Sequence, residues 1–192
     1  MNYEEMDKKL KSRLKPERYS HSKSVEKLAV RLAEKWGADA EKARLAGLLH
    51  DNAKNMDKEK SRILIEKTGA DESVKQSPTL WHGPVGAYLL KEDYGIDDEE
   101  IYDAVFYHTI GKKNMSLLTK IIYIADAIEP ERDEYADWTA ACREKAFKDL
   151  DAALLEVADR TINSLVARGL KIDCGCIDIH NEIVEKSEKH RL

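Results

Sequence analysis

Leu48-Leu49-His50-Asp51-Asn52-Ala53-Lys54 puts an imidazole and a carboxylate side by side at the end of an apolar helical segment. An unpaired carboxylate there costs several kcal/mol to bury, so Asp51 needs a cation. Asp126 poses the same problem, because Ile124-Ala125 precede it, Ala127-Ile128 follow it and no cationic residue adjoins it. A buried arginine would answer for Asp126 alone; a metal would satisfy both acids at once.

His21, His82 and His108 extend the pattern to four histidines and two aspartates, each expected at the edge of a helix. Donors separated by more than a hundred positions share a site only if helices pack around it, so one signal speaks for fold and chemistry together. A lone histidine near an apolar helix face is more often a satisfied core or surface residue, and His180 and His190 are read that way. The joint pattern favours a metal site. Imidazole and carboxylate ligands suit iron, manganese, cobalt or zinc, and no thiolate is required.

Outward from this centre the periodicity is helical. Val25, Leu28, Ala29, Leu32, Ala33 and Trp36 line one face of a helix beginning after Ser20 and ended by Gly37. Asp39 caps the next helix, which runs through Ala43, Leu45, Ala46, Leu48 and Leu49 into His50. Asn55-Met56-Asp57 forms a turn and cap before Ile63-Leu64-Ile65, and Ser77-Pro78-Thr79 is a loop. Gly83-Pro84 sets proline in a first helical turn just after His82, in a helix reaching about Tyr94-Gly95. Asp97 or Asp98 caps a helix leading to His108; another runs from about Ser116 to Pro130. The stripe from Leu150 to Leu165 is the longest, closed by Gly169, and a more polar last helix spans about 177–190. The fold class expected is all-α: one helical domain over 1–192, with a motif-bearing core at about 19–169.

Composition sets the exclusions. Of 192 residues, 36% are charged and 42% apolar, a soluble globular balance with apolar runs too short to cross a bilayer. Met1 to Lys15 lacks the apolar core of a signal peptide, which implies a cytoplasmic protein. A net charge of −5 argues against broad nucleic-acid binding, though an anionic small molecule could bind where metal ions concentrate positive charge. Cys142, Cys174 and Cys176 are an odd number, unsuited to a disulfide framework, and a lone Cys174-Gly175-Cys176 reads as incidental thiols sooner than a metal site. No heptad run argues for a coiled coil, and the oligomeric state, a homodimer included, stays open.

His21, His50-Asp51 and Asp126 match the H…HD…D signature of the HD-domain metal-dependent phosphohydrolases. Together with His82-Gly83-Pro84-Val85-Gly86-Ala87, Tyr107-His108-Thr109 and Ala125-Asp126-Ala127-Ile128-Glu129-Pro130-Glu131-Arg132, the chain from about Tyr19 to Gly169 resembles the bacterial YqeK-type members, symmetrical diadenosine tetraphosphate hydrolases that use iron and release two ADP. The resemblance implies His21, His50, Asp51 and Asp126 as ligands of the principal ion. It places His82 and His108 at a second ion bridged through Asp51, or against the substrate phosphates. It also implies nucleotide contacts at Ser20, at Asp51, Asn52, Ala53 and Lys54, at His82, His108 and Thr109, at Arg132, and along Gly169, Leu170, Lys171, Ile172, Asp173 and Cys174. Asp173-Cys174-Gly175-Cys176 departs from the His-Pro-rich segment expected there, which bears on base or ribose recognition more than on catalysis.

The chemistry so implied is phosphoanhydride hydrolysis by a metal-bound hydroxide, with iron first among candidate metals and manganese, cobalt or zinc as alternatives, in one or two ions. Asp51, Lys54 and Arg132 are the expected catalytic residues. Metal coordination lowers the pKa of water from about 15.7 to about 7, and Lys54 and Arg132 would neutralise phosphate oxygens. Because fold and metal site do not determine the substrate, two other readings stand beside this one. They are an HD phosphohydrolase of another nucleotide, such as a nucleoside monophosphate, deoxynucleoside triphosphate or cyclic dinucleotide, and a non-catalytic nucleotide sensor.

Overall fold

In the computed structural model, which describes residues 1–131 and 136–189, the chain is helical with no strand among the described residues. Among the described residues eleven α-helices follow in order: α1 Tyr3–Arg13, α2 Pro16–Trp36, α3 Ala40–Leu49, α4 Lys58–Ile65, α5 Glu72–Lys75, α6 His82–Tyr94, α7 Glu99–Tyr107, α8 Leu117–Ile128, α9 Ala136–Ala146, α10 Leu150–Ala167 and α11 Cys174–Lys189. Their starts are chemically marked. The side chains of Asp39, Asp57, Asp98 and Ser116 accept backbone N–H groups at the starts of α3, α4, α7 and α8, satisfying donors that the helix leaves open. Gly37 and Gly95 end α2 and α6 in left-handed conformation, at φ 78° and 70°.

Helix α8 is the axis of the core. Leu118, Ile121, Ile122, Tyr123, Ile124, Ala125 and Ile128 are all buried, and a helix apolar nearly all round must be enclosed by others. Helix α2 lies along α3 and α8, α3 also meets α7, α6 packs on α7, and α10 joins α8 to α9 and α11. One cluster of buried apolar side chains runs from Met6 in α1 to Ile183 in α11. Among the described residues no helix is long and apolar enough to cross a membrane.

Several expectations shift. Helix α2 begins at Pro16 rather than after Ser20, because proline suits a first helical turn, so His21 stands inside the helix and not at its edge. Pro78–Leu80 is a short 3-10 turn rather than a loop. Helix α11 begins at Cys174, since the Asp173 carboxylate accepts the Gly175 N–H and starts the helix ahead of Ile177. Helix α1 was not expected: it starts with an Asn2–Glu5 capping box and buries only Met6 and Leu10, with Leu14 just beyond it, a thin stripe with a step of four.

Two glycines let helices approach where the donors sit. A Cβ on Gly47 would lie 2.9 Å from the Glu26 Cα of α2, and one on Gly83 would lie 2.8 Å from the Phe106 carbonyl oxygen of α7. The first contact draws α3 against α2 three residues before His50; the second draws the start of α6 against the end of α7, bringing His82 to His108. Gly47→Ala is therefore expected to force α2 and α3 apart and to cost about 1–3 kcal/mol of stability, as overpacking does. Urea unfolding checks this, and an unchanged midpoint would show that the two helices are not in obligatory contact.

Candidate metal centre

Three helices and the C-terminal ends of two others deliver the donors. His21 lies in α2, His50 follows α3 directly as its cap, His82 opens α6, His108 caps α7 and Asp126 sits in the last turn of α8. The imidazoles share one orientation rule. His50 Nδ1 lies 2.8 Å from the Gly47 carbonyl, His108 Nδ1 2.7 Å from that of Val105 and His82 Nδ1 3.1 Å from that of Thr79, each the carbonyl three residues earlier. His21 Nδ1 lies 3.1 Å from Glu129 Oε1. A carbonyl or carboxylate oxygen can only accept, so the proton belongs on Nδ1 and the Nε2 lone pair is left for a metal.

Those Nε2 atoms converge. His21 Nε2 is 3.2 Å from His50 Nε2 and 3.0 Å from Asp126 Oδ1, while His50 Nε2 is 3.7 Å from the same oxygen. Asp51 Oδ2 faces this group, 3.5 Å from His50 Nε2 and 3.9 Å from His21 Nε2; its other oxygen, Oδ1, is 3.4 Å from His82 Nε2 and 3.6 Å from His108 Nε2. The rings form an edge-to-face row, His21 to His50 to His108 to His82, with centroids 5.2, 5.0 and 5.1 Å apart. His21, His50 and Asp126 lie close enough together to hold a cation, as do His50, Asp51 and His108; the two groups share His50, whose one free nitrogen can serve a single ion.

The donor set passes a chemical test of fit. Ligand bonds near 2.1 Å place tetrahedral or octahedral ligand atoms roughly 3.0–3.4 Å apart, which matches the closest pairs here. Asp51 Oδ1 and His108 Nε2 are fully buried and have no protein hydrogen-bond partner. Two such acceptors facing each other repel unless a cation or a proton lies between them.

Acid-base behaviour follows the same geometry. Burial opposes charge on His21, but its contacts to Asp126 and Glu129 win and raise its pKa to about 9. Burial, with His108 and Lys54 nearby, pushes His82 down to about 3, keeping it neutral. Burial alone would raise the Asp51 carboxyl; the imidazoles of His50, His108 and His82 outweigh it and hold Asp51 well below the usual carboxylate range.

Around the donors the predicted residues divide. Lys54 Nζ is 3.1 Å from His82 Nε2, at the rim of the centre. Thr109 Oγ1 is buried beside His108 without a protein hydrogen bond. Asn52 and Ala53 are buried, and the Asn52 amide donates to the carbonyls of Leu49 and Gly86, tying α3 to α6. Asn52 braces the scaffold by these bonds, and Ala53 lines the groove beside Lys54. Ser20 is exposed and donates to Glu131 Oε2 at 2.7 Å. Arg132 lies outside the described residues, as does His190. Gly169, Leu170, Lys171 and Cys174 are exposed at the turn into α11, with Ile172 and Asp173 half-buried. The Cys174-Gly175-Cys176 motif is a packing device: a Cβ on Gly175 would meet the Ile110 carbonyl at 2.2 Å, and neither cysteine joins a metal-capable group among the described residues.

Two residues were missed in the sequence. Arg18 Nη1 donates to Asp51 Oδ2 at 2.9 Å, and Glu129 orients His21 while its second oxygen accepts the Glu131 N–H. Arg18 stands one helical turn before His21, and that spacing was the only signal available for it.

Residues 18–131 match the HD domain family. The chain is 41% identical over 175 residues to the symmetrical bis(5'-nucleosyl)-tetraphosphatase of Bacillus subtilis, covering 88% of this chain and 90% of that one. It is 34% identical over 184 residues to the protein of the same name from Staphylococcus aureus, covering 94% of each. The crystal structure of a predicted HD superfamily hydrolase involved in NAD metabolism from Clostridium acetobutylicum superposes with a TM-score of 0.90 at 38% identity, over 97% of this chain and 98% of that one.

A raised histidine pKa stabilises the folded state most fully below the unfolded value, and the gain is lost as pH rises through the folded one. Chelator-treated protein should therefore lose stability between about pH 6.5 and pH 9, by about 3 kcal/mol at most. Asp126→Asn should flatten that slope. Urea titrations across this range test it, and equal slopes in both proteins would remove Asp126 as the group that raises His21.

Proposed function

The chain belongs to the HD-domain family, and we propose that it is a metal-dependent hydrolase cleaving diadenosine tetraphosphate and related dinucleoside polyphosphates symmetrically, with two ADP as products. One observation carries this reading. The buried Asp51 carboxylate turns one oxygen towards His21 and His50 and the other towards His82 and His108, an arrangement suited to cations that grip a phosphate bridge. Relatives that the chain matches over nearly their whole length carry the name of that activity.

In this reading His21, His50, Asp51 and Asp126 hold the principal ion. His108 and His82, with the far oxygen of Asp51, face a second ion or the phosphates. Iron is the first choice, with manganese, cobalt or zinc compatible with the same nitrogen and oxygen donors. When bound, such a cation supplies Lewis acidity, lowering the pKa of water from about 15.7 to about 7 and offsetting phosphoryl charge.

The chain's own residues do the rest. Glu129 and three backbone carbonyls hold the imidazoles with Nδ1 protonated and Nε2 turned inward; His21, raised to about 9 by Asp126 and Glu129, would have to release its Nε2 proton to coordinate. Lys54, beside His82, and Arg18, beside Asp51, set positive charge at the rim where phosphate oxygens would lie. Arg132 is assigned the same role from the sequence. ADP leaves as a stabilised anion, which relieves the site of a strong general acid. No covalent nucleophile is needed either; burial pushes the Cys142 thiol up to about 12 and raises the Tyr123 phenol as well, so both are held protonated.

Anion-exchange analysis of products from anaerobically iron-loaded protein is expected to show ADP alone, absent in Asp51→Ala. AMP together with ATP would overturn the symmetrical reading. Lys54→Ala should reduce kcat/KM by about tenfold or more, the loss of a charge-assisted hydrogen bond of about 1.5–3 kcal/mol. An unchanged kcat/KM would take Lys54 out of phosphate binding.

A further inference from the structure

A groove opens directly from the rim of the metal centre, between the turn after α3, the start of α4 and the 3-10 turn before α6. Its volume is about 350 Å³, and its lining includes Lys54, Met56, Lys58, Pro78, Trp81 and His82. Lys54 and His82 belong also to the centre, where they meet at 3.1 Å. The groove is therefore continuous with the site where phosphate would be cleaved, and it leads away from it past a second cation, the exposed Lys58.

Its walls are of two kinds. Lys54 and Lys58 line it and offer positive charge. Trp81, Met56 and Pro78 line it too and offer aromatic and apolar surface. The Trp81 indole N–H is already committed to the Lys75 carbonyl at 2.8 Å, which steadies the ring and leaves it to act through its apolar surface. Cations leading to an aromatic platform are the chemistry that recognises a nucleotide, phosphates on the first and base on the second. A volume of about 350 Å³ is at the small end of ligand sites, suited to a nucleoside and too small for a macromolecule.

We propose that this groove binds the second nucleotide half of a dinucleoside polyphosphate, the half across the scissile bond from the one whose phosphates lie over Asp51, with Lys58 on its phosphates and Trp81 against its base. The inference rests on the dinucleotide reading of the metal centre and adds to it. A symmetrical substrate cut at its middle presents a nucleoside on each side of the cut, so a centre that measures the middle requires two flanking pockets. Lys58 and Trp81 then act in specificity, outside the reacting atoms.

The test compares diadenosine tetraphosphate with adenosine 5'-tetraphosphate, which lacks the second nucleoside, using metal-loaded wild type, Lys58→Glu and Trp81→Ala. Lys58 is exposed, so its variant reports even if Trp81→Ala folds poorly. Expected for both variants is a loss of at least about tenfold in kcat/KM on the dinucleotide, carried by KM; on adenosine 5'-tetraphosphate, which keeps the phosphates but not the second base, Trp81→Ala is unchanged while Lys58→Glu is weakened as well. Calorimetry with a methylene-bridged, non-hydrolysable dinucleotide should show the same weakening for Lys58→Glu. If wild type cleaves the dinucleotide and Lys58→Glu is indistinguishable from it, or Trp81→Ala loses both substrates equally, the groove assignment is overturned and the dinucleotide reading survives. A wild type that releases no ADP from the dinucleotide overturns both.

Discussion

A carboxylate buried among imidazoles is the constraint from which the rest of this structure follows. Asp51 is 2% exposed, and one of its oxygens has no protein hydrogen bond. Burial without compensation would be prohibitive, so the surroundings must supply positive charge. Arg18 supplies part of it at 2.9 Å. The four Nε2 atoms, each aimed inward by a fixed acceptor on Nδ1, supply the means to hold more as metal.

The helices are arranged to serve that convergence. Three of the histidines stand where a helix begins or ends, and each fixes its own ring by reaching the carbonyl three residues back. His21 has no such carbonyl because it lies within α2, and Glu129 at the end of α8 stands in for it. Close approach at Gly47 and Gly83 sets the helix spacing, and the Asn52 amide locks α3 to α6. Arg143 of α9 donates to the Ile128 carbonyl, closing the end of α8 beside Asp126 and Glu129. Scaffold and site therefore share residues, and stability and metal affinity are linked through them.

The chain's net charge of −5 would repel a polyphosphate if it were spread evenly. Binding an anion thus depends on local concentration of positive charge. The rim of the centre holds Arg18, Lys54 and, further along the groove, Lys58, while the donors below are suited to divalent cations. Placement of charge, rather than its total, decides the class of ligand.

Much of this was legible from the residues alone. The steps of three and four, the caps at Asp39, at Asp57 and at Asp97 or Asp98, and the apolar run ending in His50-Asp51 are local features, and local features determine helices. The six donors were legible too, because buried carboxylates between apolar residues demand compensation whatever the fold. Tertiary structure alone decided the remainder. Arg18 and Glu129 are polar residues with nothing unusual in their neighbours, and only packing of α2 against α3 and α8 turns them on Asp51 and His21. The Asn52 amide is turned to the Gly86 carbonyl of α6, a contact that no local pattern announces. The groove of Met56, Lys58 and Trp81 joins segments that carry no common pattern. Side-chain direction and the spaces between helices depend on contacts distant in sequence, and a chain read in order contains the residues that make such contacts without the geometry that brings them together.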